Sequence, residues 1–218
     1  MKFKLKIYFT LMLLNFTLGE AFSKNALQQV DSSQSHPDES ALIYGVKEKS
    51  ITTVRKALAD GKDPNQFSDG LSIVFYLIVD DCYPHILQEL VDSGLDVNVF
   101  SKSDGSYPIH WAAAHEDLSC FEILVDNGAN LHVSDNNQRN IYFFVLQGRN
   151  KKILDFLYQK NVDFMQKNIF GIDPVHYSIL VGQPNFFKEL IAKEIEKNLS
   201  RDREQQNIGE LNSKRVFR

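Results

Sequence analysis

Two histidines stand in matching settings. His110 and His176 each follow a proline by two positions and a glycine by five, and the two copies lie 66 residues apart. Histidine exchanges protons near neutral pH, so it is the first candidate for acid–base or metal chemistry. The neighbouring residues do not complete such a site. His36, His85, His115 and His132 are scattered, and no second ligand stands at a zinc-type spacing. The chain has no glycine-rich phosphate loop, no nucleophile elbow and no His-Glu-x-x-His run. Asp80-Asp81 is a carboxylate pair at a turn, where both groups read as solvated. These residues predict no enzyme, no metal and no cofactor. Cys82 and Cys120 complete the reactive set, and an even count is compatible with either one bridge or two buried thiols.

The matching histidines belong to a longer pattern. Gly105, Pro108 and His110 recur as Gly171, Pro174 and His176, while Leu124, Leu157 and Leu190 follow one another at 33 residues. Gly61, Gly94, Gly128 and Asn161 fall at intervals of 33, 34 and 33, each after a run that reads as an amphipathic helix. The third copy is the clearest. Asp104-Gly105 signals a tight turn, and Pro108 suits the first turn of a helix, where its missing N–H is not needed. Ile109, Ala112 and Ala113 give that helix a small-residue face. Asp117 or Ser119 can cap a second helix, whose apolar stripe is Phe121, Leu124 and Val125. Asn127-Gly128 then ends it. A single helix pair of this kind cannot bury its stripe, so copies must stack side by side.

Tyr107-Pro108-Ile109-His110-Trp111-Ala112-Ala113, followed by Ile123-Leu124-Val125-Asp126-Asn127-Gly128-Ala129-Asn130, resembles the ankyrin repeat pattern. Asp173-Pro174-Val175-His176 matches it again. The resemblance implies an all-α, helix-turn-helix solenoid of about five repeats, at roughly 37–67, 68–101, 102–134, 135–167 and 168–200. The first copy lacks a turn motif and reads as an N-terminal cap. The fourth has Gln138 where a turn glycine is expected. In the fifth, Glu194 replaces the helix-ending glycine, so its second helix should run past Lys197 as a C-terminal cap. Residues 201–218 read as a polar tail, either a frayed helix or disordered.

The resemblance also implies roles. His110 and His176 fall at the family's structural histidine, whose ring bonds backbone in the adjoining turn. The family's variable positions become Ser103, Asp104, Ser106, Ala114 and His115 in the third copy. They become Asn136, Asn137, Arg139 and Gln147 in the fourth, and Ile169, Phe170, Ile172 and Leu180 in the fifth. Trp111 lies beside them. This set is the candidate partner-binding face, with Trp111 and Phe170 read equally well as packing. Cys82 falls at the start of a second helix and Cys120 in the first turn of the next. Packed helices lie roughly 10 Å apart and bridged Cα atoms within about 7 Å, so the offset along the helices leaves both cysteine readings open.

The amino terminus places this module. Lys2, Lys4 and Lys6 precede an apolar run from Ile7 to Leu18, and Ala21-Phe22-Ser23 gives small residues before a cut. Residues 1–23 therefore read as a signal peptide and 24–36 as a linker. The expected location is periplasmic or secreted, with no membrane span after cleavage. Removing three Lys and one Glu from 24 basic and 28 acidic residues takes the net charge from −4 to −6. That sign repels phosphate backbones and disfavours nucleic acid. The expectation is a monomeric, exported, bacterial binding module for a protein partner, such as a toxin-neutralising immunity-type inhibitor or a host-directed effector.

Overall fold

The computed structural model describes residues 40–216, apart from 80, 116 and 117. The proposed signal peptide, its linker and Asp117 lie outside the described residues. Two compact units divide the chain after Val162.

The first unit is a row of helix pairs. They are α1 (Ala41–Lys47) with α2 (Ile51–Ala59), a 3-10 helix (Ile73–Leu77) with α3 (Pro84–Asp92), α4 (Pro108–Ala113) with α5 (Ser119–Asp126), and α6 (Ile141–Gly148) with α7 (Lys151–Gln159). Translation relates the pairs. α1 packs on the 3-10 helix and α4 on α6, while α2 packs on α3 and α3 on α5. At these junctions first helices stack on first helices and second on second. The apolar positions of the repeat supply the core between them, including Leu42, Val54, Leu87, Leu90, Ile109 and Leu124.

Local chemistry explains where the pairs differ. Ile73-Val74-Phe75-Tyr76-Leu77 is rich in β-branched and aromatic residues, as is the start of α6, where the Asn140 side chain caps an α-helix. Ser72, the N-cap of the 73–77 segment, makes no side-chain cap bond, and that segment closes as a single 3-10 helix. Ahead of it, β1 (Phe67–Ser68) and β2 (Leu71–Ser72) pair antiparallel as a minimal hairpin, so the unit is not purely helical. α5 starts after Leu118 with no side-chain cap, so Ser119 is its first helical residue rather than its cap. Gly128, at φ 84°, leaves α5 through the left-handed region. Asn161 makes the same exit after α7 at φ 55°, and Gln138 takes a turn at φ 57° without glycine.

A polar ladder ties the turns at the far end of the second helices. Asn65 accepts the Asp96 N–H at 2.7 Å and donates to the Gly94 carbonyl at 3.0 Å. One pair later, Asn98 accepts the Asn130 N–H at 2.8 Å and donates to the Gly128 carbonyl at 3.1 Å. Asp63, Asp96 and Asn130 each cap their own turn through the N–H two residues on. His132 replaces the asparagine at the next position, and among the described residues the ladder stops there.

The second unit contains α8 (Pro174–Leu180) and α9 (Pro184–Val216), which pack on each other. Asp173 caps α8 by accepting the His176 N–H at 2.9 Å. With Glu194 in place of a terminator, α9 runs for 33 residues, about 50 Å. Residues 201–216 continue this helix, the helical of the two forms expected for the polar tail.

Candidate functional site

Each first helix carries an aromatic residue at its fourth position: Tyr44, Tyr76, Trp111, Phe144 and Tyr177. Four of these lie in the first unit and form a graded series. Tyr44 is 51% exposed, Tyr76 and Trp111 are half-buried, and Phe144 is 2% exposed. This series was legible in the sequence, since the repeat register alone aligns the five positions. Of its members only Trp111 lies beside the family's variable positions, which do not point to the other four.

Phe144 is the hub of the buried end. The His110 ring stacks on it at 4.6 Å, the Trp111 ring meets it edge-on at 6.0 Å, and the Arg139 guanidinium lies 5.0 Å from its centroid. The Trp111 indole N–H donates to Ser106 Oγ at 2.9 Å. His110 Nδ1 accepts the Tyr107 N–H at 3.3 Å, and its Nε2–H donates to the Val133 carbonyl at 3.2 Å. Those partners fix the neutral tautomer. Burial pushes the His110 pKa down to about 4, with the Arg139 charge adding to the shift, while the Val133 bond and Asp104 oppose it. His110 is thus a structural clamp between two turns.

His176 does not repeat that role. Its exposed ring turns back to the Asp173 carboxylate at 2.8 Å rather than to backbone in an adjoining turn.

The candidate partner-binding residues divide by exposure. Ser103 and Asn136 are exposed, and Asp104, Asn137, Gln147 and Trp111 are partly so. Ser106 is 1% exposed, its hydroxyl donating to Asp104 and accepting from Trp111, which removes it from the face. Arg139 is also withdrawn. Its guanidinium lies against the buried Asp135 carboxylate at 2.6 Å. Burial raises the Asp135 pKa against the opposing pull of Arg139 and two backbone N–H groups. His115 bonds the Ile78 carbonyl of the preceding pair and so ties two pairs together. In the second unit, Asn168 Oδ1 accepts the N–H groups of Phe170 and Ile172, and this turn leaves Phe170 43% exposed and Ile172 half-buried.

Two exposed aromatics were not among the sequence candidates. Phe67 and Phe100 stand 33 residues apart at equivalent positions before their turns, 46% and 52% exposed. Lys102 lies over the Phe67 ring at 5.8 Å, and Phe100 leans on Tyr107 at 6.0 Å. The signal available in the sequence was a large apolar residue one position ahead of a polar turn, repeated at the repeat length.

Cys82 and Cys120 are joined, with Cα atoms 5.9 Å apart. Among the described residues, no group of three or more His, Cys, Asp or Glu converges as a metal set. No helix among them is long and apolar enough to cross a membrane.

Comparison with known proteins agrees with this architecture. The family model for ankyrin repeats matches residues 42–135 and 74–168. An ankyrin repeat protein of Fowlpox virus (strain NVSL) is 30% identical over 132 residues, which is 61% of this chain and 17% of that protein. An ankyrin repeat protein of Acanthamoeba polyphaga mimivirus is 26% identical over 142 residues, 62% of this chain and 18% of that protein. The chain therefore aligns to under a fifth of the length of these relatives. Both are viral, which lends no support to the expectation of a bacterial source. Ankyrin repeats are in general modules of protein–protein interaction. A family match over residues 42–168, more than half the chain, and the stacked helix pairs that fill it identify this protein as a member of the ankyrin repeat family.

Proposed function

We propose that the chain is an exported interaction module of five repeats, with the terminal pairs acting as caps, that captures a protein partner on the aromatic face of its first unit. The carrying observation is the pair Phe67 and Phe100, exposed at matching turns, with exposed Tyr44 and half-exposed Trp111 on the first helices. Large aromatic side chains are over-represented among the residues that dominate binding energy, and Tyr44, Phe67 and Phe100 each keep about half of their surface in solvent. Export is supported by the apolar segment behind Lys2, Lys4 and Lys6 and by a disulfide, a bond that persists in oxidising compartments. A toxin-neutralising inhibitor and a host-directed effector are special cases of this reading, distinguished by the identity of the captured protein.

The test compares the mature protein with a Phe67→Ser, Phe100→Ser double variant as baits in the envelope and secreted fractions of the native source. Co-eluting proteins are identified by mass spectrometry. The variant should keep its helical circular dichroism and lose a protein that the parent captures. Equal capture by both baits would place the interaction elsewhere. Separately, residues 1–23 fused to a reporter without its own leader should deliver it across a membrane. A reporter retained inside the cell would remove export from the proposal.

A further inference from the structure

The junction between the second and third helix pairs differs from the junction that follows it. Between the third and fourth pairs, backbone meets backbone. A Cβ on Gly148 would sit 2.6 Å from the Ala114 carbonyl oxygen and 2.9 Å from that of Ala113. Between the second and third pairs, where α3 packs on α5, further ties are the His115–Ile78 hydrogen bond and the disulfide from Cys82, in the second pair's connection, to Cys120 in the first turn of α5. The second pair is also the one whose first helix is a single 3-10 segment. A covalent bond is thus added at the start of two second helices that already pack, beside the least regular helix of the row.

The two sulfurs are not equally placed. Cys82 is half-buried and lies two residues ahead of α3, whereas Cys120 is 1% exposed within the first turn of α5. We propose that this disulfide is a redox latch on the second repeat, opened by a dithiol reductant of the Cys-x-x-Cys oxidoreductase class. The reductant's thiolate attacks Cys82 Sγ, and the Cys82–Cys120 bond breaks. Its electron pair leaves on Cys120, which takes up a proton. The reductant's second thiol then attacks its own sulfur in the mixed disulfide and releases Cys82 as a thiol. Two electrons and two protons pass to the latch, and the dithiol becomes a disulfide. The latched state holds the 3-10 helix and the following connection against the third pair. The open state frees that connection and the first turn of α5, while the rest of the third pair and the fourth pair stay packed.

Amide exchange followed by NMR on the full chain tests this. In the latched protein the Val79, Tyr83 and Glu122 amides are held by the carbonyls of Phe75, Leu77 and Leu118, and the Leu154 and Val162 amides by those of Asn150 and Leu157. Adding dithiothreitol, or a reduced Cys-x-x-Cys oxidoreductase, should speed exchange at the first three at least tenfold and leave the last two unchanged. A Cys82→Ala, Cys120→Ala double variant should show the same pattern without reductant. Unchanged exchange after reduction would make the bond idle. General loss of helix signal, in the reduced protein or in the variant, would make it a plain stability staple. A bond that resists reduction until the chain is unfolded would show that Cys82 is out of reach. Each of these results overturns the proposal.

Discussion

At the scale of single residues, the protein is sensitive to acid at one imidazole. The folded His110 titrates near 4, below its ordinary value of 6.5, so the folded state holds fewer protons than the unfolded chain between those values. Above pH 6.5 the group costs nothing. As pH falls through 6.5 toward 4 the cost grows, reaching about 3 kcal/mol. Asp135 runs the other way, because its raised pKa favours the folded state as pH falls. Urea titrations at several pH values should show stability declining between pH 6.5 and 4, and His110→Gln should flatten that decline. An unaltered slope in the variant would place the acid loss elsewhere. The glycines offer a sharper contrast. Gly148→Ala must displace backbone and should cost about 1–3 kcal/mol. Gly128→Ala meets open space and should cost about 1 kcal/mol, from its left-handed φ alone. Thermal melts that rank the two in the opposite order would contradict the close approach at Gly148.

At the scale of elements, α6 is the keystone. Six consecutive side chains from Ile141 to Leu146 are buried, so it is not an amphipathic surface helix. Phe144→Ala removes one ring that His110, Trp111 and Arg139 all touch, and should cost about 3–5 kcal/mol. Phe100→Ala, at an exposed turn, should change stability by less than about 0.5 kcal/mol. Denaturant midpoints of the two variants test the split between a buried helix aromatic and an exposed turn aromatic. Similar losses for both would make Phe100 a packing residue and weaken its part in partner capture. The ladder asparagines should be intermediate. Asn98→Ala breaks two hydrogen bonds between neighbouring turns, at a cost of about 1–2 kcal/mol by the same assay.

At the scale of the whole molecule, the helix pairs were legible because their signals are periodic. Gly128, Pro108 and Pro174 each mark an element end by local chemistry, and the interval between copies needs no tertiary knowledge. The 3-10 helix was not legible, since Ile73-Val74-Phe75-Tyr76 occupies the register of an α-helix and only its missing cap betrays it. The candidate face was legible in part. Position in the repeat located Ser103, Asn136 and Phe170 on exposed turns, but it could not show that Ser106 and Arg139 turn inward to satisfy Trp111 and Asp135. Such pairings depend on which polar group a neighbouring repeat leaves without a partner, and that is settled by contacts rather than by register. Residues 40–162 hold their own core, so a chain cut after Val162 should still melt cooperatively in calorimetry. Loss of a cooperative transition in that shortened chain would refute the independence of the first unit.

The Asn65 and Asn98 rungs join only adjacent turns, and the Cys82–Cys120 bond joins only adjacent pairs. Tension applied to the two ends of the row therefore passes through its junctions in series. Under rising force the asparagine rungs part at low load and the covalent rung holds. Pulled between molecular handles, the oxidised chain keeps the 37 residues between its cysteines from lengthening, and the reduced chain releases them as extra contour length.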